Sequence, residues 1–239
     1  MTGLTRAAGI AKGLVRSVVR RRVRVTAGDL TRVRPVSARF GDDRGQPVDR
    51  HYIEAFLRER SGRIRGDVME VGGSRYAKLF GSGITKLHVL HATADHHEAT
   101  IVADLTQVSS LPASSVDCLI CTHTLGFIFD VGAAVRGIHH VLRPGGVVLA
   151  TVAGISQVSR YDMDRWGDYW RFTDAAVRRL FEPVFGSVEI VTFGNVGAAM
   201  AFLDGLAVED LPDRSVLDVC DPDYQLVIGI AAQKRRQAG

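Results

Sequence analysis

The side chains best placed for chemistry follow an apolar run, Val116–Cys121, that is typical of a buried strand. Thr122 and His123 come directly after it. In an open parallel sheet the ligand crevice lies beyond the carboxyl ends of the strands. A neutral imidazole there can take a proton from a reacting hydroxyl, which accelerates such reactions roughly 10²–10⁴-fold. We predict His123 as a general base. The alternative is a ring that only hydrogen-bonds a loop or stacks on a bound cofactor.

A second group of candidate side chains lies between Ala153 and Thr173, where no strand pattern is visible. Long loops in compact domains usually carry function. Aromatic planes beside carboxylates suit a sugar-like acceptor, and aromatic stacking also suits a planar phenol. Asp168 is the alternative base. The predicted acceptor contacts are Tyr161, Trp166, Tyr169 and Trp170. Alternatively, Trp166 and Trp170, four residues apart, anchor a helix onto the core.

A third candidate stretch joins a strand to a helix through two glycines, Gly72 and Gly73. Glycine lets the backbone turn sharply and lets a ligand lie against it. The helix that follows begins at Ser74, and its free N–H groups can bind an anion. The stretch lacks the G-x-G-x-x-G spacing of dinucleotide sites, which argues against a nicotinamide enzyme.

The elements that position these groups alternate between strand and helix from residue 48 onward. The predicted helices are Val48–Glu59, Arg75–Phe80, Val131–Leu142 and Thr173–Phe185. The predicted strands are Asp67–Val71, Lys86–Leu90, Thr100–Ala103, Val116–Cys121, Gly146–Val152, Ser187–Phe193 and Gln225–Ala232. Such alternation predicts an α/β fold, with a mostly parallel sheet covered by helices on both faces.

The charge of the chain is concentrated at its start. Residues 1–40 hold ten Lys and Arg and one acid, a net charge of +9, whereas the whole chain carries +4. Residues 41–239 therefore carry a net charge of −5. A domain of negative charge is poorly suited to bind the phosphate backbone of a nucleic acid, so no nucleic-acid partner is predicted. We predict a basic N-terminal arm and linker over residues 1–45 and one domain over residues 46–239.

The arm has apolar residues at helical spacing and basic residues on another face, which predicts a basic amphipathic helix. It is expected to pack on the domain or on a second subunit in a homodimer, or to lie on an anionic membrane surface through residues 1–25. Interruption by Lys12 and Arg16 argues against a secretory signal. We find no apolar run of about 18 residues. A cytoplasmic protein, peripheral at the inner membrane surface in the second case, is expected.

Metal and disulfide chemistry are not expected. The chain has three cysteines, and Cys118 and Cys121 lie within the apolar strand, so buried reduced thiols are predicted. Structural zinc would need four ligands, and no second C-x-x-C is present. The His96-His97-Glu98 run is expected to be a solvated loop rather than a metal site.

Four sequence motifs in a fixed order give the chain a resemblance to a known family. They are Val68–Gly73 at the end of the first strand, Val102–Leu105, the strand Val116–Cys121, and the turn Leu142-Arg143-Pro144-Gly145-Gly146 before an apolar strand. This order, from about Asp67 to Val152, resembles the class I S-adenosylmethionine-dependent methyltransferases, most closely the type 11 subgroup. The flanks at residues 49–54 and 166–173 are similar to segments of uncharacterised bacterial members.

The resemblance implies a Rossmann-like sheet of seven strands with one antiparallel edge strand, and S-adenosylmethionine as cofactor. It implies that Glu70 and the glycine turn hold the methionine part, that the helix start holds its carboxylate, and that Asp104 takes the adenine amino group. The cofactor-binding residues so predicted are Glu70, Gly72, Gly73, Ser74, His91, Asp104, Leu105 and Thr122.

The chain departs from the family pattern in two places. The glycine loop is usually G-x-G-x-G, and here it is Gly72-Gly73-Ser74-Arg75. The second strand usually ends in an acid for the ribose hydroxyls, and here it ends in His91. A ring nitrogen of His91 can still hydrogen-bond a hydroxyl, and Asp95 is a second candidate.

These features predict a transferase that methylates a hydroxyl of a small molecule, such as a sugar, a glycan precursor or a secondary metabolite. The alternative is a non-catalytic methyltransferase-like scaffold that docks through its basic arm. Methylation of nucleic acid is disfavoured by the charge of the domain. N-methylation is disfavoured because no Asn/Asp-Pro-Pro-Tyr-like run follows the fourth strand.

Overall fold

The computed structural model describes residues 32–236, so the predicted arm helix lies outside the described residues. The helices are α1 Val48–Glu59, α2 Arg75–Phe80, α3 Val131–Val141, α4 Arg160–Met163, α5 Asp174–Phe185 and α6 Val196–Leu203. The strands are β1 Gly66–Val71, β2 Ile84–His91, β3 Ile101–Val102, β4 Val116–Thr122, β5 Leu142–Ala153, β6 Val188–Phe193 and β7 Val227–Gln233.

The strands form one sheet in the order β3-β2-β1-β4-β5-β7-β6. Strands β1 to β5 pair in parallel, and β7 runs antiparallel between β5 and β6. The antiparallel strand therefore lies one place in from the β6 edge. The chain builds outward from β1 to β3 and then returns to place β4 on the other side of β1. The carboxyl ends of β1 and β4 consequently flank the switch point where α/β sheets bind ligands.

Alternation along the central strands divides the core between the two faces of the sheet. Met69 and Leu119 point to the face covered by α3 and α5, with Val135, Ile138 and Phe181 among their buried neighbours. Val68 and Ile120 point to the opposite face, which α1 and α6 cover with Phe56 and Phe202. The α/β fold with helices on both faces is confirmed.

The domain begins earlier than the sequence predicts. The compact unit starts at Pro35, eleven residues before the expected boundary at residue 46. The Val36 N–H donates to the Asp204 carbonyl at 2.8 Å, and the Arg44 guanidinium bonds both oxygens of Asp210 at 2.7 and 2.8 Å. Residues 35–45, predicted as linker, are thus tied to the far end of the domain.

Two helices were not predicted, the four-residue α4 and the longer α6. Helix α6 is apolar around most of its circumference, so it shows no 3.6-residue period for a sequence pattern to reveal. Its start is fixed by Asn195, whose side chain accepts the Ala198 N–H at 3.0 Å. None of the helices within residues 32–236 has the length and apolarity that a bilayer span requires.

The three cysteines are free thiols, as predicted. Cys118 and Cys121 are buried on opposite faces of β4, and burial raises the pKa of each thiol to about 12. Both are therefore protonated and unreactive near neutral pH. Cys220 is exposed.

Candidate active site

Glu70, near the end of β1, closes the start of helix α2. Its carboxylate oxygens accept the N–H groups of Tyr76 and Ala77 at 3.1 and 2.7 Å. Burial raises the pKa of Glu70, and these two hydrogen bonds oppose that rise. Both oxygens face the helix, so the geometry does not support the predicted direct hold on the methionine part. Glu70 instead positions the glycine turn.

The glycine turn itself leaves an open cradle. Gly72 has φ +83°, and its N–H donates to the Leu90 carbonyl at 2.9 Å, which holds the turn beside β2. A Cβ placed on Gly72 or Gly73 would meet nothing within 4 Å in the described chain. The N–H groups of residues 73–75 precede the first intrahelical bond of α2, which runs from the Lys78 N–H to the Ser74 carbonyl at 3.1 Å. This cradle fits an anionic, backbone-contacting ligand.

Ser74 and Glu98 close one side of this cradle. The Ser74 hydroxyl donates to the Glu98 carboxylate at 2.7 Å, and Lys78 lies 3.8 Å from the same carboxylate. The loop after β2 is thereby held against the first turn of α2. Glu98 was predicted only as part of a solvated loop, and no sequence signal placed it here.

His91 lies at the end of β2, where the family carries an acid. Its Nδ1 faces the Thr93 N–H and hydroxyl at 3.2 and 3.1 Å, which turns Nε2 away from this loop. The His96 ring stacks on it with centroids 4.5 Å apart, and the Trp166 ring meets it edge-on at 5.7 Å. Asp95 accepts the Thr93 hydroxyl. Trp166 was predicted to contact the acceptor, and the structure places it against His91 at the end of β2.

Asp104 follows β3, at the same edge of the sheet as His91. Its Oδ1 accepts both the N–H and the hydroxyl of Thr106 at 2.8 Å, which forms a compact turn. The side chain is exposed, and the next residue, Leu105, is buried in the core. This position is consistent with the predicted adenine contact, which stays a prediction, as does the contact of Thr122.

His123 has an unusual backbone. Its φ is +48°, a left-handed conformation that non-glycine residues rarely adopt, and its N–H donates to the Thr151 carbonyl at 2.8 Å. Such strain concentrates at functional sites. The Nδ1 atom lies 3.6 Å from Oδ2 of Asp49, and Nε2 is buried without a hydrogen-bond partner among residues 32–236. The Thr151 hydroxyl is also buried and unpartnered there.

Electrostatics keep the His123 ring neutral. Burial is the main cause of its lowered pKa, and Arg50 and Arg171 act in the same direction while Asp49 opposes them. A neutral ring with an unpartnered Nε2 can accept a proton. The structure therefore gives His123 the geometry that the predicted base requires.

Asp49 and Arg50 are site residues that sequence reasoning missed. Both lie in the first turn of α1, and an ion pair of 3.0 Å between Glu54 and Arg75 holds this helix beside α2. Arg50 Nε is buried without a hydrogen-bond partner in the described chain. Their presence in a segment similar to other family members was the one available signal. Tyr52, on the same helix, stacks on Phe193 in the core at 5.5 Å.

A small pocket lies in front of His123. Its volume is about 180 Å³, and Asp49 and His123 form one wall. The opposite wall comes mainly from the loop of residues 154–172, here called the post-β5 loop, and includes Ser156, Gln157, Ser159, Asp162, Asp168, Trp170 and Arg171. Ligand pockets usually measure about 300–1,000 Å³. This one accommodates a small ring or the reacting end of a larger molecule.

Asp168 holds the post-β5 loop together. Its side chain is fully buried, pairs with both terminal nitrogens of Arg171, and accepts the Ser159 N–H at 2.9 Å. The hydrogen bond from Arg171 is the main cause of its lowered pKa. A carboxylate so engaged is a poor proton acceptor, so the geometry does not support Asp168 as the alternative base.

The remaining loop aromatics differ in position. Trp170 lines the pocket, and its Nε1 donates to the Phe129 carbonyl at 3.2 Å. Tyr169 meets the Phe129 ring edge-on at 5.4 Å and is half exposed. Tyr161 is exposed, with the Arg165 guanidinium 3.6 Å above its ring. Of the four predicted acceptor contacts, Trp170 is the one that the structure places in this pocket. Phe129, which supports it, was missed.

Within residues 32–236, no group of three or more His, Cys, Asp or Glu side chains is arranged to hold a metal ion. The His91, His96 and His97 rings stack in series with centroids 4.5 and 5.2 Å apart, so they are arranged as ring planes rather than as converging ligands.

Comparison with known proteins agrees with this fold. Residues 65–150 match the family model described as a methyltransferase domain, of type 11. An S-adenosylmethionine-dependent methyltransferase from Mesorhizobium loti is 15% identical, with a TM-score of 0.52 over 78% of this chain and 98% of that one. A putative methyltransferase from Haloferax volcanii, solved with its Trm112 activator, is 18% identical, with a TM-score of 0.53 over 80% and 92%.

Two further matches differ in their named activities. The [4+2]-cyclase SpnF has a TM-score of 0.52 at 15% identity, covering 82% of this chain and 84% of its own. A highly reducing polyketide synthase of Strobilurus tenacellus is 30% identical over 114 residues, which is 42% of this chain. The match spans only 4% of the length of that synthase.

Residues 65–150 of this chain thus match a methyltransferase domain of the class I S-adenosylmethionine-dependent kind. The cofactor of such domains is S-adenosylmethionine, and the open glycine cradle at the start of α2 fits it.

Proposed function

We propose that this domain transfers the methyl group of S-adenosylmethionine to a hydroxyl of a small molecule. The observation that carries the proposal is the arrangement of His123 at the switch point. Its Nδ1 faces Asp49, and its Nε2 is buried without a hydrogen-bond partner in the part of the chain that the structure describes. The cofactor supplies a methyl group already activated on a sulfonium. The chain has to align the acceptor and remove its proton, and alignment alone can supply about 7–11 kcal/mol.

In this proposal His123 takes the proton of the acceptor hydroxyl on Nε2 as the oxygen forms its bond to the methyl carbon. The bond between that carbon and the sulfonium sulfur would break at the same time, with neutral S-adenosylhomocysteine as the leaving group. The imidazolium that results is stabilised by the Asp49 carboxylate next to Nδ1. Burial makes the attraction between the imidazolium and the Asp49 carboxylate stronger than it would be in water. The proton leaves from the ring once product has departed and solvent reaches the pocket.

The methionine carboxylate is assigned to Arg50 and the start of α2. The Arg50 Nε is a buried donor without a hydrogen-bond partner among residues 32–236, which is costly unless a ligand accepts from it. The N–H groups of residues 73–75 supply further donors to the same carboxylate. A guanidinium can engage a carboxylate with two parallel hydrogen bonds.

The acceptor proposed is a hydroxylated ring of about the size of a monosaccharide, or a phenol. Support comes from the small pocket volume, the Trp170 plane and the polar walls at Ser156, Ser159 and Asp162. Aromatic faces pack against the apolar faces of such rings, and the polar groups fix their hydroxyls.

The test combines binding and turnover. Calorimetric titration should show S-adenosylhomocysteine bound in the micromolar range, and a panel of sugars and phenols should yield a methylated product by mass spectrometry. Replacement of His123 by Ala should lower the rate at least 100-fold and leave S-adenosylhomocysteine affinity within about twofold. His140→Ala, on helix α3 away from the pocket, is the matched control and should change neither. An unchanged rate for His123→Ala would remove the base assignment.

A second candidate function is a binding or scaffold protein on the same fold. The Gly-Gly-Ser turn and His91 depart from the family pattern, and the cyclase relative is named for a reaction other than methyl transfer. Absence of S-adenosylhomocysteine binding at high protein concentration would favour this candidate. The proposed contacts of residues 1–25, with an anionic membrane surface or with a second copy, are tested separately. Co-sedimentation with liposomes and light scattering, each with and without those residues, distinguish the two.

A further inference from the structure

An exposed cluster of aromatic rings borders the small pocket in front of His123. The cluster, here called the aromatic surface, consists of Phe129, Tyr169 and Trp170, whose exposed fractions are 70%, 49% and 40%. The centroid of the Phe129 ring lies 5.4 Å from that of Tyr169 and 5.8 Å from that of Trp170. Large apolar side chains that are exposed side by side commonly mark a binding surface.

Two loops hold these rings in place. Phe129 follows β4, whereas Tyr169 and Trp170 belong to the post-β5 loop. The N–H groups of Tyr169 and Trp170 both donate to the Gly126 carbonyl, at 2.9 and 3.2 Å, and Trp170 Nε1 bonds the Phe129 carbonyl. A Cβ on Gly167 would collide with the Tyr169 ring, so this ring lies directly against the glycine backbone. The aromatic surface is therefore formed in advance, and a ligand has few side chains to order on binding.

Trp170 joins the aromatic surface to the pocket. It lines the pocket together with His123, and its ring contacts the ring of Phe129. The pocket volume is about 180 Å³, below the roughly 300–1,000 Å³ of most ligand sites. A molecule larger than one ring that places a hydroxyl near His123 therefore extends out of the pocket. On the Trp170 side it meets Phe129 and Tyr169.

The size of the aromatic surface indicates what it can bind. A large aromatic side chain buries about 150–250 Å² when it is fully covered. The three rings are already partly covered by the chain, so their remaining area is far below the roughly 1,200 Å² of a stable protein–protein interface. The aromatic surface suits the apolar part of a small molecule better than a second protein.

We propose that the acceptor is amphiphilic, with a hydroxylated ring that enters the pocket and an apolar aryl or alkyl substituent that packs on the aromatic surface. The inference rests on the proposed function, since it takes the pocket as the acceptor site. Phe129 and Tyr169 then determine specificity without contact with the reacting atoms, and Trp170 contacts both parts of the acceptor. Substituted sugars or phenols are better acceptors than the unsubstituted compounds.

The test compares probes that differ only in the apolar substituent. Methyl, phenyl and octyl β-glucosides form one series, and phenol, 4-butylphenol and 4-phenylphenol form another. Calorimetric titration in the presence of S-adenosylhomocysteine measures the affinity for each probe independently of turnover. In at least one series the probes with the larger apolar substituent should bind about tenfold more tightly, which corresponds to burial of roughly 55 Å² of apolar surface.

Variants assign this gain to the aromatic surface. Phe129→Ala and Tyr169→Ala should each remove most of the gain and leave the affinity for methyl glucoside and phenol within about twofold. Phe129→Leu, which keeps an apolar side chain, should retain most of it. Tyr161→Ala is the control, because it removes an exposed aromatic of the same loop whose ring contacts Arg165 instead. It should retain the whole gain. Thermal unfolding of each variant verifies the fold.

The outcomes separate this inference from the proposed function. Equal affinities within both series, or no binding by any probe, would overturn the inference. Methylation of an unsubstituted acceptor without a gain from the substituent would overturn it and leave the proposed function standing. A gain in affinity with no methylated product from any probe would support the aromatic surface and count against the proposed function. Sedimentation with neutral phosphatidylcholine vesicles that Phe129→Ala abolishes, without a gain in either series, would assign the aromatic surface to a membrane and overturn the inference.

Discussion

His123 and Asp49 meet although 73 intervening residues separate them, with Nδ1 and Oδ2 3.6 Å apart. The first comes from the end of β4 and the second from the first turn of α1. The pair leaves the other ring nitrogen, Nε2, buried and without a partner in the described chain. A carboxylate in this position orients the ring and favours its charged form, which is the state that a base reaches during the reaction.

Replacement of Asp49 by Asn should move the acid limb of the rate profile to lower pH. Burial lowers the pKa of His123 and Asp49 raises it, so loss of the carboxylate lowers that pKa further. The weaker base should also reduce kcat/KM at pH 8 by about tenfold. A pH profile of kcat/KM measures both effects. Asp42→Asn, an exposed acid paired with Arg39, is the control. A limb that moves to higher pH would contradict the pairing.

The lowered pKa of His123 should appear in the stability of the protein. Above the unfolded value of about 6.5 the ring is neutral in both states, and its contribution to stability is fully present. As pH falls through the lower folded value, the unfolded state binds the proton first, and stability is lost. Denaturant unfolding at several pH values should show this loss. His123→Asn, which tolerates the positive φ, should lose less stability over the same pH range. Equal pH dependence in both proteins would exclude the effect.

The two glycines of the turn should respond differently to Ala. Gly72→Ala places a Cβ at φ +83° and should cost about 1–2 kcal/mol of stability as well as ligand affinity. Gly73→Ala has no such strain and should weaken S-adenosylhomocysteine binding with little effect on unfolding. Gly83→Ala, at φ +64° with equally open space at the opposite end of β2, is the matched control for strain. Gly83→Ala should lower stability without weakening S-adenosylhomocysteine binding. Unchanged affinity in both turn variants would show that the cradle is not the cofactor site.

Loss of the ion pair inside the post-β5 loop should destabilise the folded protein. Arg171→Met leaves the fully buried Asp168 carboxylate without its partner, which typically costs about 3–5 kcal/mol. The acceptor KM should rise as well, because both residues line the pocket. Thermal unfolding and substrate kinetics measure the two effects. Arg178→Met breaks an exposed pair with Glu182 and should change stability by less than about 1 kcal/mol. A similar small change in Arg171→Met would exclude the structural role.

Replacement of Arg50 should weaken ligands that carry the methionine carboxylate and spare ligands that lack it. Arg50→Met should weaken S-adenosylhomocysteine about tenfold or more, because a charge-assisted hydrogen bond to the methionine carboxylate is lost. Its effect on 5′-methylthioadenosine, which lacks that carboxylate, should be within twofold. Arg58→Met is the control, since Arg58 is an exposed arginine in the last turn of the same helix. Equal weakening of both ligands would place Arg50 elsewhere in the site.

The sequence was sufficient for the fold because its signals are local. Alternating runs define the strands, and the position of His123 follows from the end of one such run. The missed helix α6 shows the limit of this reasoning, since an apolar surface on most sides carries no period.

The residues of the site were harder to predict from the sequence, because tertiary packing brings them together. Asp49 and Arg50 reach the crevice only because α1 lies beside α2. Trp166 and Trp170 are four residues apart and of one chemical type, yet the loop directs them to opposite sides of the crevice. Glu70 is the opposite case. Its position in the motif implied a contact with the ligand, but both of its carboxylate oxygens accept N–H groups at the start of α2.

The cysteines described with the fold make the wild-type chain convenient for site-specific chemistry. Two thiols are enclosed in β4 with a pKa of about 12 each, and the third, Cys220, is exposed. A maleimide probe added to the folded protein therefore attaches at one position without any substitution. Modification at Cys118 and Cys121 requires the core to open, so their labelling rate reports how often the centre of the sheet unfolds.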